Sequence, residues 1–288
     1  MKRILLLSFA LLFGVAAYPK ADGLRVMSFN IHRASPDDTG ELSWEARKAP
    51  CAKAVKKYKP DLIGLQEAFF EHASHLLKEL PKYQIVDRHE KAGDLEPILE
   101  ANENPILYRA DKFELLDYGF FWLNEDQTAM KPGWDAASVR NTTWVKLRIK
   151  KSGRIFFFFN THFDHRGEKA REESARLAVT RIKEIAGDDA VVFLGGDLGM
   201  PGGQAGIKPL ADYMQEAGTS AKKPDKAPTF NNFGKGSPMW PDHLFFRNAT
   251  VKSFKVADEP KYGVKYISDH YPIVSDFSID GKKEKKKK

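Results

Sequence analysis

The sequence predicts a single layered α/β domain, and three observations predict it. Apolar runs rich in aromatic and β-branched residues alternate with amphipathic helical segments along nearly the whole chain. No Pro/Gly/Ser linker interrupts the alternation before a charged tail, and no internal repeat is present. With 288 residues, 42% of them hydrophobic and 12% aromatic, the chain can bury a full core and is not disordered. Strands and helices so interleaved pack as layers, with polar groups at strand ends and in the following loops building the site.

The N-terminus places Lys2 and Arg3 ahead of an apolar run from Ile4 to about Ala17, with Val15 and Ala17 spaced for small-residue cleavage. Residues 1–17 thus read as a secretory signal, 18–280 as the domain and 281–288 as a disordered Lys-rich tail. The run falls short of the ~20 residues that span a bilayer. No later segment is longer and apolar, so the expectation is a secreted or periplasmic monomer without a membrane span once the signal is removed.

LRVMSFNI (24–31) reads as a buried strand and WEARKAPCAKAVKKYK (44–59) as an amphipathic helix bent near Pro50. PDLIGLQE (60–67) is a short strand ending in an acid, and HASHLLKEL (72–80) is helical. NPILYR, KFELLDYGFFWL, TTWVKLRI and RIFFFFNTH are strand-like, the FFFF run being a strand buried on both faces. A long helix covers about Glu168 to Ala186. VVFLGGDLGM (191–200) is a buried strand whose Gly-Gly pair predicts a tight turn where it surfaces. GIKPLADYMQEAG is a helix, and DHLFF, TVKSFKV and YPIVSDFSI are the last strands.

Charge and cysteine content narrow the function classes. The formal net charge is +7, but Lys2, Arg3 and a tail with six Lys against one Glu carry nearly all of it. The near-neutral body argues against a nonspecific nuclease, which needs clustered basic groups along a groove. Cys51 is the single cysteine, so no internal disulfide forms, and its helical setting predicts a buried small apolar residue.

Polar groups sit where the strands end: Asn30, Glu67, His162, Asp197, Asp242, and the pair Asp269 and His270. Asn, Glu and Asp oxygens suit a hard divalent cation such as Mg²⁺ or Mn²⁺. Two histidines among carboxylates supply acid, base or charge stabilisation.

RVMSFNIH, IGLQE, ILYRADKFELL, WDAASVRNTTWV, NTHFDHRGEKAREESA, GGDLG, PDHLFF and SDHYPIV, taken in order, resemble the endonuclease/exonuclease/phosphatase superfamily. The resemblance covers almost the whole mature chain. It implies a four-layer α/β sandwich, two mixed β-sheets face to face with helices outside, and metal-dependent hydrolysis of a phosphodiester or phosphomonoester by water. It further implies metal binding by Asn30, Glu67 and Asp269. His270 corresponds to the catalytic histidine, Asp242 to the acid that orients it, His162 to a second active-site histidine and Asp197 to the acid that aligns the attacking water. Arg140, Tyr108 and Asn160 are candidates for the substrate phosphate, with a phospholipid headgroup, sugar phosphate or nucleic acid as the substrate classes. One departure stands out: the motif ends in Asn, whereas position 199 is Gly, which predicts a slow hydrolase or a replacement donor such as Gln204.

Two other readings fit parts of the sequence. His162, Asp164 and His165 match the H-x-D-H portion of metallo-β-lactamase-type zinc hydrolases, although Asn160 stands where a further His is needed. Loss of the motif Asn also suits a scaffold that only binds a phosphorylated or glycan ligand.

Overall fold

A computed structural model describes residues 21–86, 104–199, 205–236, 238–259 and 262–280. The expected signal, the charged tail and Gln204 lie outside these residues. Among the described residues, no helix is long and apolar enough to cross a membrane.

Two mixed six-stranded sheets form the centre. The first contains β1 (Asp22–Asn30), β2 (Leu62–Gln66), β3 (Tyr83–Val86), β4 (Ile106–Arg109), β11 (Thr250–Val256) and β12 (Ile273–Ile279), in the order β11-β12-β1-β2-β4-β3. The second contains β5 (Phe113–Trp122), β6 (Asn141–Ile149), β7 (Ile155–His162), β8 (Val191–Asp197), β9 (Gln215–Glu216) and β10 (Asp242–Arg247), in the order β5-β6-β7-β8-β10-β9. Parallel pairs, β1 with β2 and β7 with β8, lie within the sheets, and the other pairings are antiparallel.

Leu24, Val26, Leu62, Phe156, Phe158, Phe193, Phe246 and Phe277 fill the space between the sheets. Burying one large apolar side chain contributes roughly 1.5–3 kcal/mol, so this aromatic layer dominates the hydrophobic stabilisation. The alternate residues Phe157 and Phe159 face the other way, against Ala175, Ala178 and Ile182 of α3 (Glu168–Ala186). The FFFF run is therefore buried on both faces, as expected. On the outside of the first sheet, Cys51, Ala54 and Val55 of α1 (Trp44–Tyr58) and Leu76 of α2 (Phe70–Glu79) cover Met27, Phe29, Ile63 and Leu65. The result is the expected four-layer sandwich.

α1 starts at Ser43, whose hydroxyl accepts the Ala46 N–H, and runs without interruption through Pro50 to a left-handed Lys59. Three local expectations change. The Gly-Gly pair is not a turn, because Gly195 and Gly196 continue β8 as buried strand residues. A Cβ on Gly196 would lie 2.1 Å from the Thr161 carbonyl oxygen, so the glycine serves close backbone approach. The helix expected over 206–218 divides into α4 (Lys208–Tyr213), the edge strand β9 and α5 (Ala217–Ser220). Gln215 and Glu216 leave the helix to pair with Phe246 and Phe245 of β10. The third change is β3, absent from the sequence reading, which adds four residues to the sheet edge beside β4.

Candidate active site

The topology gathers the expected groups at one end of both sheets. Parallel β1 and β2 deliver Asn30 and Glu67 together. Parallel β7 and β8 place His162 beside Asp197, and antiparallel β10 places Asp242 on the other side of Asp197. β12 runs antiparallel to β1 with Ile273 opposite Ser28, bringing Asp269 and His270 to the same edge. A cleft of about 530 Å³ opens there, lined by Glu67, Arg140, His162, Asp197, Asp269 and His270, with His32, Arg33, Phe69, Ser138, His165 and Phe230 at its walls.

Asp197 is the hub. Its Oδ1 accepts the Gly199 N–H at 2.8 Å, and its Oδ2 accepts the Asn30 amide at 3.0 Å. His162 Nε2 lies 3.6 Å and His270 Nε2 3.5 Å from that same Oδ2. His270 Nδ1 bonds Asp242 Oδ2 at 2.8 Å, so both ring nitrogens of His270 face carboxylates. Burial works against a charged ring, but Asp242 and Asp197 outweigh it and push the His270 pKa up to about 10. His270 is therefore an imidazolium at neutral pH.

His162 is its opposite. Burial first, then the adjacent Arg140 cation, hold its pKa well below the ordinary value, so the ring is neutral. Arg140 Nη1 lies 3.1 Å from His162 Nδ1, and a guanidinium can only donate. The His162 proton therefore sits on Nε2, the edge facing Asp197. Arg140 is itself buried, with its second terminal nitrogen 3.2 Å from His165 Nδ1.

Asn30, Glu67 and Asp269, the expected metal ligands, are all at this end, but their orientations differ. Asn30 Oδ1 accepts the His32 N–H at 3.1 Å while its amide nitrogen faces Asp197 and, at 3.5 Å, Glu67. So oriented, Asn30 positions two carboxylates and its oxygen does not face the cleft. Among the described residues, Glu67, in a left-handed turn (φ 56°) just past β2, accepts the Arg33 N–H at 3.2 Å besides that long contact. Its carboxylate oxygens keep lone pairs for another partner. Asp269 meets His32 Nδ1 at 3.1 Å and Ser268 Oγ at 3.2 Å. Burial opposes the Asp269 charge, and the His32 hydrogen bond with the neighbouring His270 holds its pKa below the usual range. Oxygen donors from Glu67 and Asp269 fit a hard divalent cation. Asp197, Asp242 and His270 also lie within 4.8 Å of one another, a second buried group of potential ligands in which the His270 ring is already hydrogen-bonded to Asp242.

Two expected phosphate contacts lie elsewhere. Tyr108 pairs with Leu62 at the start of β2, the end remote from the cleft, and its hydroxyl donates to Gln84 Oε1 at 2.6 Å within the core between the sheets. Asn160 is fully buried: its amide donates to the Leu65 and Pro105 carbonyls at 2.7 and 3.0 Å, and its oxygen accepts Gln66 Nε2 at 2.7 Å. It ties one sheet to the other. The zinc reading also fails on geometry. Asp164 is spent on the N–H groups of Ser138, Arg166 and Gly167, and Arg140 occupies the space between His162 and His165 that a metal would need.

Sequence reasoning missed His32 and Arg47, and it named His165 only within the zinc reading. His32, in a left-handed conformation (φ 59°), bridges Asp269 and Asp38, the latter at 2.9 Å; it lies two residues past a strand end already singled out. Arg47 is fully buried and donates to the carbonyls of Leu42, Ile31, His32 and Ile267 at 2.7–3.1 Å. It thereby locks the loop after Asn30 to the loop carrying Asp269 and His270. Its signal was its place on the apolar stripe of α1 with Trp44, Cys51 and Ala54.

The chain resembles proteins of known structure throughout. It is 30% identical to an endonuclease/exonuclease/phosphatase protein from Bacteroides vulgatus, with a TM-score of 0.82 over 90% of this chain and 100% of that one. It is 28% identical to a mannosyl-6-phosphatase of Bacteroides thetaiotaomicron, with a TM-score of 0.80 over 88% and 99%. Uncharacterized protein R895 of Acanthamoeba polyphaga mimivirus is 25% identical over 61% of this chain, and the match spans 30% of that protein's length. The profile of the Endonuclease/Exonuclease/phosphatase family matches residues 27–270. With that match over the whole cleft-bearing region, the chain belongs to the endonuclease/exonuclease/phosphatase family, whose members hydrolyse phosphoesters.

Proposed function

We propose that this chain hydrolyses a small exported phosphoester, with a phosphorylated sugar or glycan as the preferred substrate, by attack of water on phosphorus. The observation that carries the reading is Asp197 Oδ2 between His162 Nε2 and His270 Nε2, with His270 in turn held by Asp242. Asp197 is placed to accept the proton of the attacking water as its oxygen bonds to phosphorus and the bond to the leaving oxygen breaks, the departing alkoxide taking a proton from solvent to leave as the alcohol. The His270 imidazolium and the neutral His162 N–H are placed to stabilise the charge that gathers on the phosphoryl oxygens. Glu67 and Asp269 would hold a divalent cation, Mg²⁺ or Mn²⁺, which when bound would offset charge on a phosphoryl oxygen.

The near-neutral body and the likeness to a mannosyl-6-phosphatase support a small sugar-phosphate substrate over a nucleic acid strand. The signal-like N-terminus supports a secreted or periplasmic location, with a monomer as the expected state. The test is turnover of p-nitrophenyl phosphate and bis-p-nitrophenyl phosphate with Mg²⁺, Mn²⁺ or Zn²⁺ restored after chelation, followed by a screen of sugar phosphates, sphingomyelin and nucleic acid. Asp197→Ala and His270→Ala should each lose about 10³-fold or more in kcat. Undiminished turnover in both variants overturns the reading. Gly199 favours one rival, a phosphate-binding module without turnover, and ligand binding with no hydrolysis of any ester would establish it.

A further inference from the structure

We infer that Arg47 is a positioning residue for the divalent-cation site: its buried guanidinium fixes the spacing between the segment that holds Glu67 and the segment that carries Asp269, and so sets how tightly the pair binds the ion. The inference rests on the metal-assisted reading proposed above and adds the residue that preorganises its ligands. Glu67 follows β2 and Asp269 precedes β12, so the two carboxylates come from distant parts of the chain. Residues 30–33 lie between them. The Ile31 N–H donates to the Gln66 carbonyl at 3.0 Å and the Arg33 N–H to Glu67 Oε2 at 3.2 Å, which ties this segment to Glu67. On its other side, His32 Nδ1 meets Asp269 Oδ2 at 3.1 Å, and Ser268 Oγ donates to the Asn30 carbonyl at 2.7 Å.

Arg47 joins the two sides from beneath. Its Nη1 donates to the Ile31 carbonyl at 2.8 Å and to the Ile267 carbonyl at 3.1 Å, so one nitrogen bridges the segments two residues before Asp269. Nη2 donates to the His32 carbonyl at 3.0 Å and fixes the residue whose ring meets Asp269. Nε donates to the Leu42 carbonyl at 2.7 Å and anchors the fork just ahead of its own helix. All four acceptors are main-chain carbonyls, and the side chain is fully buried. What the site uses is therefore the fork's fixed directions, which a lysine ammonium on a flexible stem does not reproduce. Two carboxylates bind one ion tightly only where their separation is set beforehand, and an outer residue that orients ligands typically carries about 10- to 100-fold of metal affinity.

The experiment measures Mn²⁺ binding to the full chain by electron paramagnetic resonance, without substrate, for the parent, Arg47→Met, Arg47→Lys, Glu67→Gln and Leu147→Ala, each checked for folding by circular dichroism. Leu147→Ala empties a buried position of the layer between the sheets, opposite Phe156 at the end remote from the cleft, and controls for lost stability alone. The Kd for Mn²⁺ should rise about 10- to 100-fold in Arg47→Met and by about 10-fold in Arg47→Lys, which keeps the charge and one donor group. Glu67→Gln should weaken binding, which assigns the signal to this site, and Leu147→Ala should keep the parent's Kd. Arg47→Lys decides should Arg47→Met not fold. An unchanged Kd in a folded Arg47 variant, an equal rise in Leu147→Ala or a Kd indifferent to Glu67→Gln overturns the inference. A parent that binds no Mn²⁺ overturns it together with the proposed cation site. A parent that binds Mn²⁺ but hydrolyses no ester refutes the proposed hydrolysis alone, and the Kd series still decides the role of Arg47.

Discussion

Restoring an amide at position 199 tests the reaction chemistry most directly, because the structure shows what the change costs and the motif comparison says what it should gain. Gly199 sits at φ +66°, two residues past Asp197, with its N–H on Asp197 Oδ1 at 2.8 Å. Asn is among the residues that best tolerate this left-handed backbone, at a cost of roughly 1–2 kcal/mol. A Cβ there would meet the Asp164 carbonyl oxygen at 3.1 Å, His165 Cα at 3.5 Å and Arg171 Cδ at 3.6 Å, so the neighbouring loop must give by a few tenths of an ångström. For a domain of this size the melting temperature should fall by about 2–4 °C per kcal/mol. Against that stands one added donor two residues past Asp197, and loss of such a donor typically costs about 10²- to 10³-fold in rate. Gly199→Asn should therefore raise kcat by up to that factor while melting slightly earlier, and Gly199→Ala should show the melting shift without the gain. The assay is kcat on p-nitrophenyl phosphate beside thermal unfolding of all three proteins. A folded Gly199→Asn protein with the parent's kcat would refute the idea that a missing amide limits turnover.

The remaining predictions concern buried groups. Cys51, whose thiol burial pushes up to about 12 against the opposing pull of Arg47, should not react with a disulfide reagent at pH 8 until the protein is unfolded. Asn160→Ala should lose several kcal/mol of stability, because it leaves the Leu65 and Pro105 carbonyls and Gln66 without their partner, while KM is unchanged; a KM effect in a stable variant would restore Asn160 as a substrate contact. Arg47→Met should destabilise by about 3–5 kcal/mol in urea unfolding, since four carbonyls lose one buried cation. His72 is fully buried against Trp44, and burial, with Arg47 nearby, depresses its pKa to about 3. The native ring stays neutral while the unfolded one takes up a proton below pH ~6.5, so this stability is complete above that pH and drains away as pH falls toward 3. His72→Leu should accordingly shift acid unfolding to lower pH.

The layers of the fold were legible because burial leaves a period in the sequence. FFFF at 156–159 and RVMSFN at 25–30 can be little else than strands covered on both faces, and both are. Groups at strand ends were legible for the same reason, since each follows a run whose direction is fixed. What could not be read was orientation. Asn30 and Asn160 are the same residue type at comparable strand positions. One faces the active-site acid, and the other bridges two backbones, because Gly64 leaves room for it: a Cβ there would lie 2.5 Å from Asn160 Oδ1. Nothing in one dimension carries that complementarity between a glycine in one sheet and an amide in the other.

The two histidines show what the third dimension adds to the chemistry. In sequence, His162 and His270 are equivalent imidazoles near carboxylates. In the fold both point Nε2 at the same oxygen of Asp197, and they differ in what lies behind them: an arginine for His162, an aspartate for His270. Burial, reinforced by the arginine, keeps one ring neutral, the arginine fixes its proton, and Asp242 together with Asp197 keeps the other charged against burial. A single carboxylate thus faces one cation and one neutral donor within the same cleft. The charge of Asp197 faces a cation on the His270 side and a neutral N–H on the His162 side. Exchanging the rear partners, with Arg140→Met freeing one ring and Asp242→Asn neutralising behind the other, would abolish that asymmetry without touching either histidine. The division of labour between the imidazoles is therefore set by burial together with the residues behind them.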